Sequence, residues 1–91
     1  MTTAIVLINV KRSELNDVIT KLLNIEGVTE VYAVAGEYDL AAVIRVSDNL
    51  VLSEIVADRM PHTIEGITHA KTLISLKSHS KFDLEKIFLG K

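Results

Sequence analysis

Residues 25–29 read Ile25-Glu26-Gly27-Val28-Thr29, and residues 64–68 read Ile64-Glu65-Gly66-Ile67-Thr68. Each copy follows an amphipathic stretch and opens a β-rich one, the switch of hydrophobic period that marks a helix giving way to a strand. The repeated unit is therefore strand–helix–strand. Two such units fill a chain of 91 residues, which is the length of one domain spanning residues 1–91.

Working outward from the repeat, residues 3–10 (TAIVLINV) are apolar on both alternating faces and predict a strand covered on both sides. Ser13 is placed to cap a helix whose stripe is Leu15, Val18, Ile19, Leu22 and Leu23, with Gly27 closing it. Residues 28–35 predict a second strand and residues 40–46 a third, joined by the tight connection Gly36-Glu37-Tyr38-Asp39. Ser47 or Asp48 caps a second helix with the stripe Leu52, Ile55, Val56 and Met60, stopped by Pro61. Residues 67–78 predict a long fourth strand, and residues 82–89 (FDLEKIFL) a short C-terminal helix. The order β-α-β-β-α-β with right-handed crossovers puts both helices on one face of an antiparallel sheet of order 4-1-3-2, an α+β ferredoxin-like fold.

The other face has no cover of its own. Hydrophobic residues make up 48% of the chain, more than one small core absorbs. Ile5, Leu7, Val31, Ala33 and Val43 imply that neither face is polar enough to meet water, so a second subunit is expected over the open face. No apolar run reaches the ~20 residues of a membrane span. The net charge of −2 is not the footprint of a nucleic-acid binder. The absence of cysteine excludes disulfides and thiolate chemistry, and the start Met-Thr-Thr-Ala lacks the pattern of a secretory signal. Together these fit a cytoplasmic setting.

The hairpin Gly36–Asp39 carries the main candidate chemistry. Open backbone N–H groups can receive a carboxylate, and Asp39 can receive an ammonium. The alternative is plain turn chemistry, with glycine supplying the backbone geometry and Asp39 bonding nearby backbone. His62, His69 and His79 lack the spacing of a metal site. His69 shares the polar head of strand four with Thr68, Lys71 and Thr72. Glu37 and Asp39 form no acid–base pair with a supporting nucleophile or phosphate loop, so no catalytic residue, metal or cofactor is expected. Lys77, His79 and Lys81 alternate without interleaved aromatics, a weak basis for nucleic-acid binding. Phe82, Ile87 and Phe88 fit packing on another subunit better than a membrane surface.

The stretch VYAVAGEYDLAAVIRVSD, with Gly36-Glu37-Tyr38-Asp39, Leu40 and Asp48, resembles the ligand-binding (RAM) domain of Lrp/AsnC transcription regulators. A second point of likeness is Gly66-Ile67 opening strand four, followed by Thr72. The resemblance covers nearly the whole chain. It implies two-sheet dimers forming an α/β barrel, assembled further into rings of dimers, with an amino acid bound where dimers meet. The ligand loop would be Gly36, Glu37, Tyr38 and Asp39. The facing wall would be Thr68, His69, Ala70 and Thr72 of a neighbour. Glu65 stands where the family often has proline. Ala70 stands where it often has a hydroxyl residue, which removes one side-chain hydrogen bond to the effector. The family's N-terminal helix-turn-helix module has no counterpart, so a stand-alone sensor is expected, without specific DNA binding of its own and acting alone or with full-length regulators. Two other readings share the architecture: a dimeric α+β barrel enzyme such as a small cofactor-independent monooxygenase, and a purely structural oligomerisation module.

Overall fold

The computed structural model describes residues 1–60, 64–79 and 81. Four strands, β1 (Thr2–Val10), β2 (Val28–Ala33), β3 (Leu40–Val46) and β4 (Ile67–Ile74), form one antiparallel sheet in the order β2-β3-β1-β4. This is the expected order read from its other edge. Helix α1 (Leu15–Leu23) joins β1 to β2, and α2 (Asn49–Glu54) runs into a π-turn (Ile55–Arg59) before β4. The expected C-terminal helix, Pro61 and His62 lie outside the described residues.

The core lies between the helices and one sheet face. Ala4, Val6 and Ile8 of β1 and Leu40, Ala42, Ile44 and Val46 of β3 are buried there with Val18, Leu22, Leu52 and Ile55. The π-turn explains the helical stripe. Its wider i→i+5 spacing brings Ile55 and Met60 into one core, and the Met60 N–H donates to the Ile55 carbonyl. Leu23, placed on the α1 stripe by its spacing, is instead exposed.

The repeat is visible in three dimensions. The Gly27 carbonyl accepts from the Arg45 N–H and the Gly66 carbonyl from the Lys11 N–H, both at 2.8 Å. Both glycines have positive φ, +103° and +100°. A Cβ at Gly27 would lie 2.8 Å from Val46 Cγ1, and one at Gly66 would lie 2.7 Å from Glu14 Cβ. Each glycine thus lets the turn before a strand close onto the end of another strand. Helix α1 itself ends earlier, with Asn24 as its C-cap.

Four local expectations change. Ser13 does not cap α1: a 3₁₀ turn (Arg12–Glu14) precedes the helix, and the Glu14 N–H donates to the Lys11 carbonyl, so backbone replaces the hydroxyl. Strand β2 stops at Ala33, because the Val34 N–H already closes the hairpin on the Asp39 carbonyl. Strand β4 stops at Ile74 rather than running to residue 78. Its partner β1 begins at Thr2, and the Ser75 N–H to the Thr3 carbonyl is the last rung. Finally, the register of β2 shifts between Val28 and Glu30. This bulge turns Val31 and Ala33 toward the helix face, opposite Ala42 and Leu40, and puts Glu30 and Tyr32 on the open face. Asp48 caps α2 as expected, its Oδ1 accepting from the Val51 N–H at 3.0 Å.

Candidate functional site

The open face is polar at its β2 edge and carries apolar side chains across β3, β1 and, at Leu73, out to the β4 edge. Cross-strand partners share a face. One row therefore reads Glu30, Val43, Ile5, Leu73 and the next Tyr32, Ala41, Leu7, Lys71. Ile5 on the central strand β1 is 40% exposed, and its neighbour Leu73 on the edge strand β4 is 44% exposed. At the β2 edge Arg45 binds Glu30 (2.7 Å) and Thr29 Oγ1 (2.8 Å), and the Tyr32 hydroxyl donates to Glu30. The Tyr32 hydroxyl, then the Arg45 guanidinium, hold the Glu30 carboxyl below the usual carboxylate range. The carboxylate in turn pushes the Tyr32 phenol up.

The hairpin is anchored on one side and open on the other. The Val34 N–H donates to the Asp39 carbonyl (2.9 Å), and the Asp39 N–H donates to the Ile8 carbonyl (3.0 Å). Asp39 Oδ2 accepts from the Val10 N–H at 2.9 Å. The Asp39 carboxylate therefore ties the hairpin to the end of β1, 29 residues away in sequence, while its carbonyl closes the turn itself. Its Oδ1 takes no part in this tie. The N–H groups of Ala35, Gly36, Glu37 and Tyr38 donate to no group among the described residues. Gly36 has φ +145° and no atom near its Cβ position, so a ligand can approach its backbone.

The expected wall divides between two faces. His69 pairs with Asn9 on the open face, and its ring stacks with that of Tyr38 at 6.4 Å and 20° in the same chain. Thr68 is exposed at a register shift between Ile67 and His69. Ala70 and Thr72 pair with Ile8 and Val6 and so belong to the helix face. Hairpin and strand head thus meet through Tyr38 and His69, while Ala70 and Thr72 are turned away. Strand alternation was readable for these residues, but their pairing was not.

Sequence reasoning missed a second feature. On the helix side of the hairpin a cleft of ≈270 Å³ is lined by Val10, Arg12, Leu15, Ala33, Val34 and Asp39. Arg12 reaches it through the 3₁₀ turn and has no ion-pair partner among the described residues. A lone arginine after a strand carries no signal of this in sequence. Between the sheet and the π-turn lies a cavity of ≈70 Å³ lined by Val6, Val56, Met60, Ile67 and Ala70, which offers no acid, base or nucleophile. Among the described residues no three His, Asp or Glu side chains cluster as metal ligands, and no helix is long and apolar enough to cross a membrane.

Among the described residues the fold is that of a small ferredoxin-like α+β domain, with exposed apolar side chains on one sheet face and a hairpin of unpaired amides. The chain matches the Lrp/AsnC ligand binding domain over residues 3–83, and it belongs to that family. It is 33% identical over 78 residues to the HTH-type transcriptional regulator FL11 of Pyrococcus furiosus, covering 86% of this chain and 50% of that protein. The chain thus spans about half the length of this curated relative. Among solved structures it superposes on TTHA0845 of Thermus thermophilus with a TM-score of 0.82 and 30% identity, over 89% of this chain and 100% of that one. It shares its fold with the complex of L-Met and the transcriptional regulator NMB0573 of Neisseria meningitidis (TM-score 0.75, 19% identity, 94% of this chain and 58% of that one).

Proposed function

We propose that this domain is an amino-acid sensor of Lrp/AsnC-type transcription regulation rather than an enzyme, working in the cytoplasm. Two copies cover each other's open sheet face, and dimers associate further. The effector binds between dimers at Gly36, Glu37, Tyr38 and Asp39, against Thr68 and His69. Ala70 and Thr72 contribute only where a neighbour presents the helix side of β4. The domain acts by binding this effector, or by co-assembling with full-length regulators of its family. Its 91 residues work as one unit.

The observation that carries the proposal is the hairpin. Four consecutive N–H groups stand open next to a carboxylate whose position is held by the β1 backbone. An α-amino acid presents the complementary carboxylate and ammonium. The L-Met complex of the Neisseria relative supports this choice of ligand class. The match to the Lrp/AsnC ligand binding domain favours a sensor over the barrel-enzyme alternative.

A thermal-shift screen of the twenty amino acids, read beside a light-scattering mass, tests both halves. The expected result is a mass well above the 10.0 kDa of one chain and stabilisation by one or a few amino acids. Asp39→Asn keeps an acceptor for Val10 and removes the charge, so affinity should fall about tenfold or more. A monomeric mass would refute the dimer. No stabilisation by any amino acid at millimolar concentration would refute the sensor and leave the structural module.

A further inference from the structure

The cleft on the helix side of the hairpin is not explained by a generic amino-acid site, which needs only the hairpin amides and Asp39. Its walls are apolar: Val10, Leu15, Ala33 and Val34. Its two charges are of opposite sign. Asp39 stands on the hairpin side, and Arg12 comes from the 3₁₀ turn before α1. The two form no ion pair with each other, and Arg12 pairs with no other carboxylate among the described residues. The space of ≈270 Å³ approaches the lower end of small-molecule sites, about 300 Å³, and has their make-up of apolar walls with a few polar groups.

We propose that Arg12 reads the effector's side chain and selects an acidic amino acid, L-aspartate or L-glutamate. The inference rests on the hairpin site proposed above. A ligand whose α-carboxylate lies on the hairpin amides and whose ammonium lies on Asp39 has the cleft next to it. Its side-chain methylenes then run along Val10, Leu15, Ala33 and Val34. Its terminal carboxylate meets the guanidinium, which can bind it through two parallel N–H donors. An amide end keeps part of the hydrogen bonding and loses the charge. An aliphatic side chain satisfies the walls and leaves Arg12 unpaired. A basic side chain is repelled. Among the described residues Arg12 makes no side-chain hydrogen bond or ion pair, so it can be replaced without loosening the domain.

The test is calorimetric titration of the full chain with L-aspartate, L-glutamate, their amides L-asparagine and L-glutamine, and L-leucine and L-lysine. For the unaltered chain one acidic amino acid should bind about tenfold or more tighter than its own amide, the scale of one charge-assisted bond. Arg12→Gln should abolish that difference. Arg12→Lys should restore part of it. Arg12→Glu should turn the preference toward L-lysine. Tighter binding of L-leucine than of either acid by the unaltered chain, or an acid–amide difference that survives Arg12→Gln, would overturn the role of Arg12 and leave the hairpin site standing. No binding of any of the six would overturn the role of Arg12, whereas the hairpin site falls only if none of the twenty amino acids stabilises the chain. Unchanged circular dichroism and melting temperature in the three variants separates loss of recognition from loss of fold.

Discussion

Two lysine substitutions in neighbouring strands should have opposite consequences. Val31 and Val43 are both half-buried valines in central stretches of β2 and β3. The β2 bulge puts Val31 on the helix face, opposite Ala42, while Val43 lies on the open face between Glu30 and Ile5. Burying a valine fully is worth about 1.5–3 kcal/mol. Val43 already has part of this within one chain, so an interface adds the lower part, about 1.5 kcal/mol per copy. A two-fold interface counts each substitution twice. Val43→Lys should therefore cost about 3 kcal/mol of dimerisation, roughly a hundredfold in Kd, before the further cost of enclosing a charge. Its fold should persist, because the lysine meets water once the dimer opens. Val31→Lys should instead weaken each chain by about 1–3 kcal/mol through the core it packs on, at about 4–8 °C of melting temperature per kcal/mol. Sedimentation velocity over a concentration series, beside urea denaturation of each variant, separates the two. A Val43→Lys protein with the parent mass at low micromolar concentration would refute the assignment of the open face as the interface. A Val31→Lys protein that dissociates with its stability intact would refute the bulge.

Three further outcomes follow from named contacts. Gly27→Ala should destabilise by about 2 kcal/mol or more, since it combines positive φ with a Cβ 2.8 Å from Val46 Cγ1 and 2.9 Å from Ile55 Cδ1; Gly36→Ala, with φ +145° but open space, should cost clearly less, and equal urea midpoints would sink the packing part of the argument. Asp48→Ala removes the cap on the Val51 N–H and should cost about 1 kcal/mol, measured by denaturation at neutral pH, whereas Ser47→Ala should change little. The Glu30 carboxyl is held down chiefly by the Tyr32 hydroxyl, so its contribution is present above the ordinary carboxylate range and fades as pH falls through the lowered folded value; Tyr32→Phe should move its NMR titration upward, and an unmoved titration would show that the hydroxyl does not hold the carboxylate.

The repeat, the two helical stripes and the apolar strands were legible because secondary structure and sheet order follow from local hydrophobic period and crossover handedness, which a linear sequence carries. Residues 25–29 and 64–68 placed two of the three positive-φ glycines, Gly27 and Gly66, and Asp48 was readable as a cap, since a cap bonds a residue three positions away. The hairpin was legible as a turn for the same reason. Which way its neighbours face was not. The bulge at Val28/Glu30 sends Val31 and Ala33 to the helix side, and strand pairing decides that His69 takes the open face and Thr72 the helix face. A shift of one residue inverts every later side chain, and it is decided by partners far along the chain. The partner of Asp39 is Val10, 29 residues away, and Arg12 meets the hairpin cleft only because a 3₁₀ turn brings it there. Local pattern determined the elements of this protein. Only the tertiary structure decided which side chains share a surface, because that depends on register and on contacts between segments the sequence keeps apart.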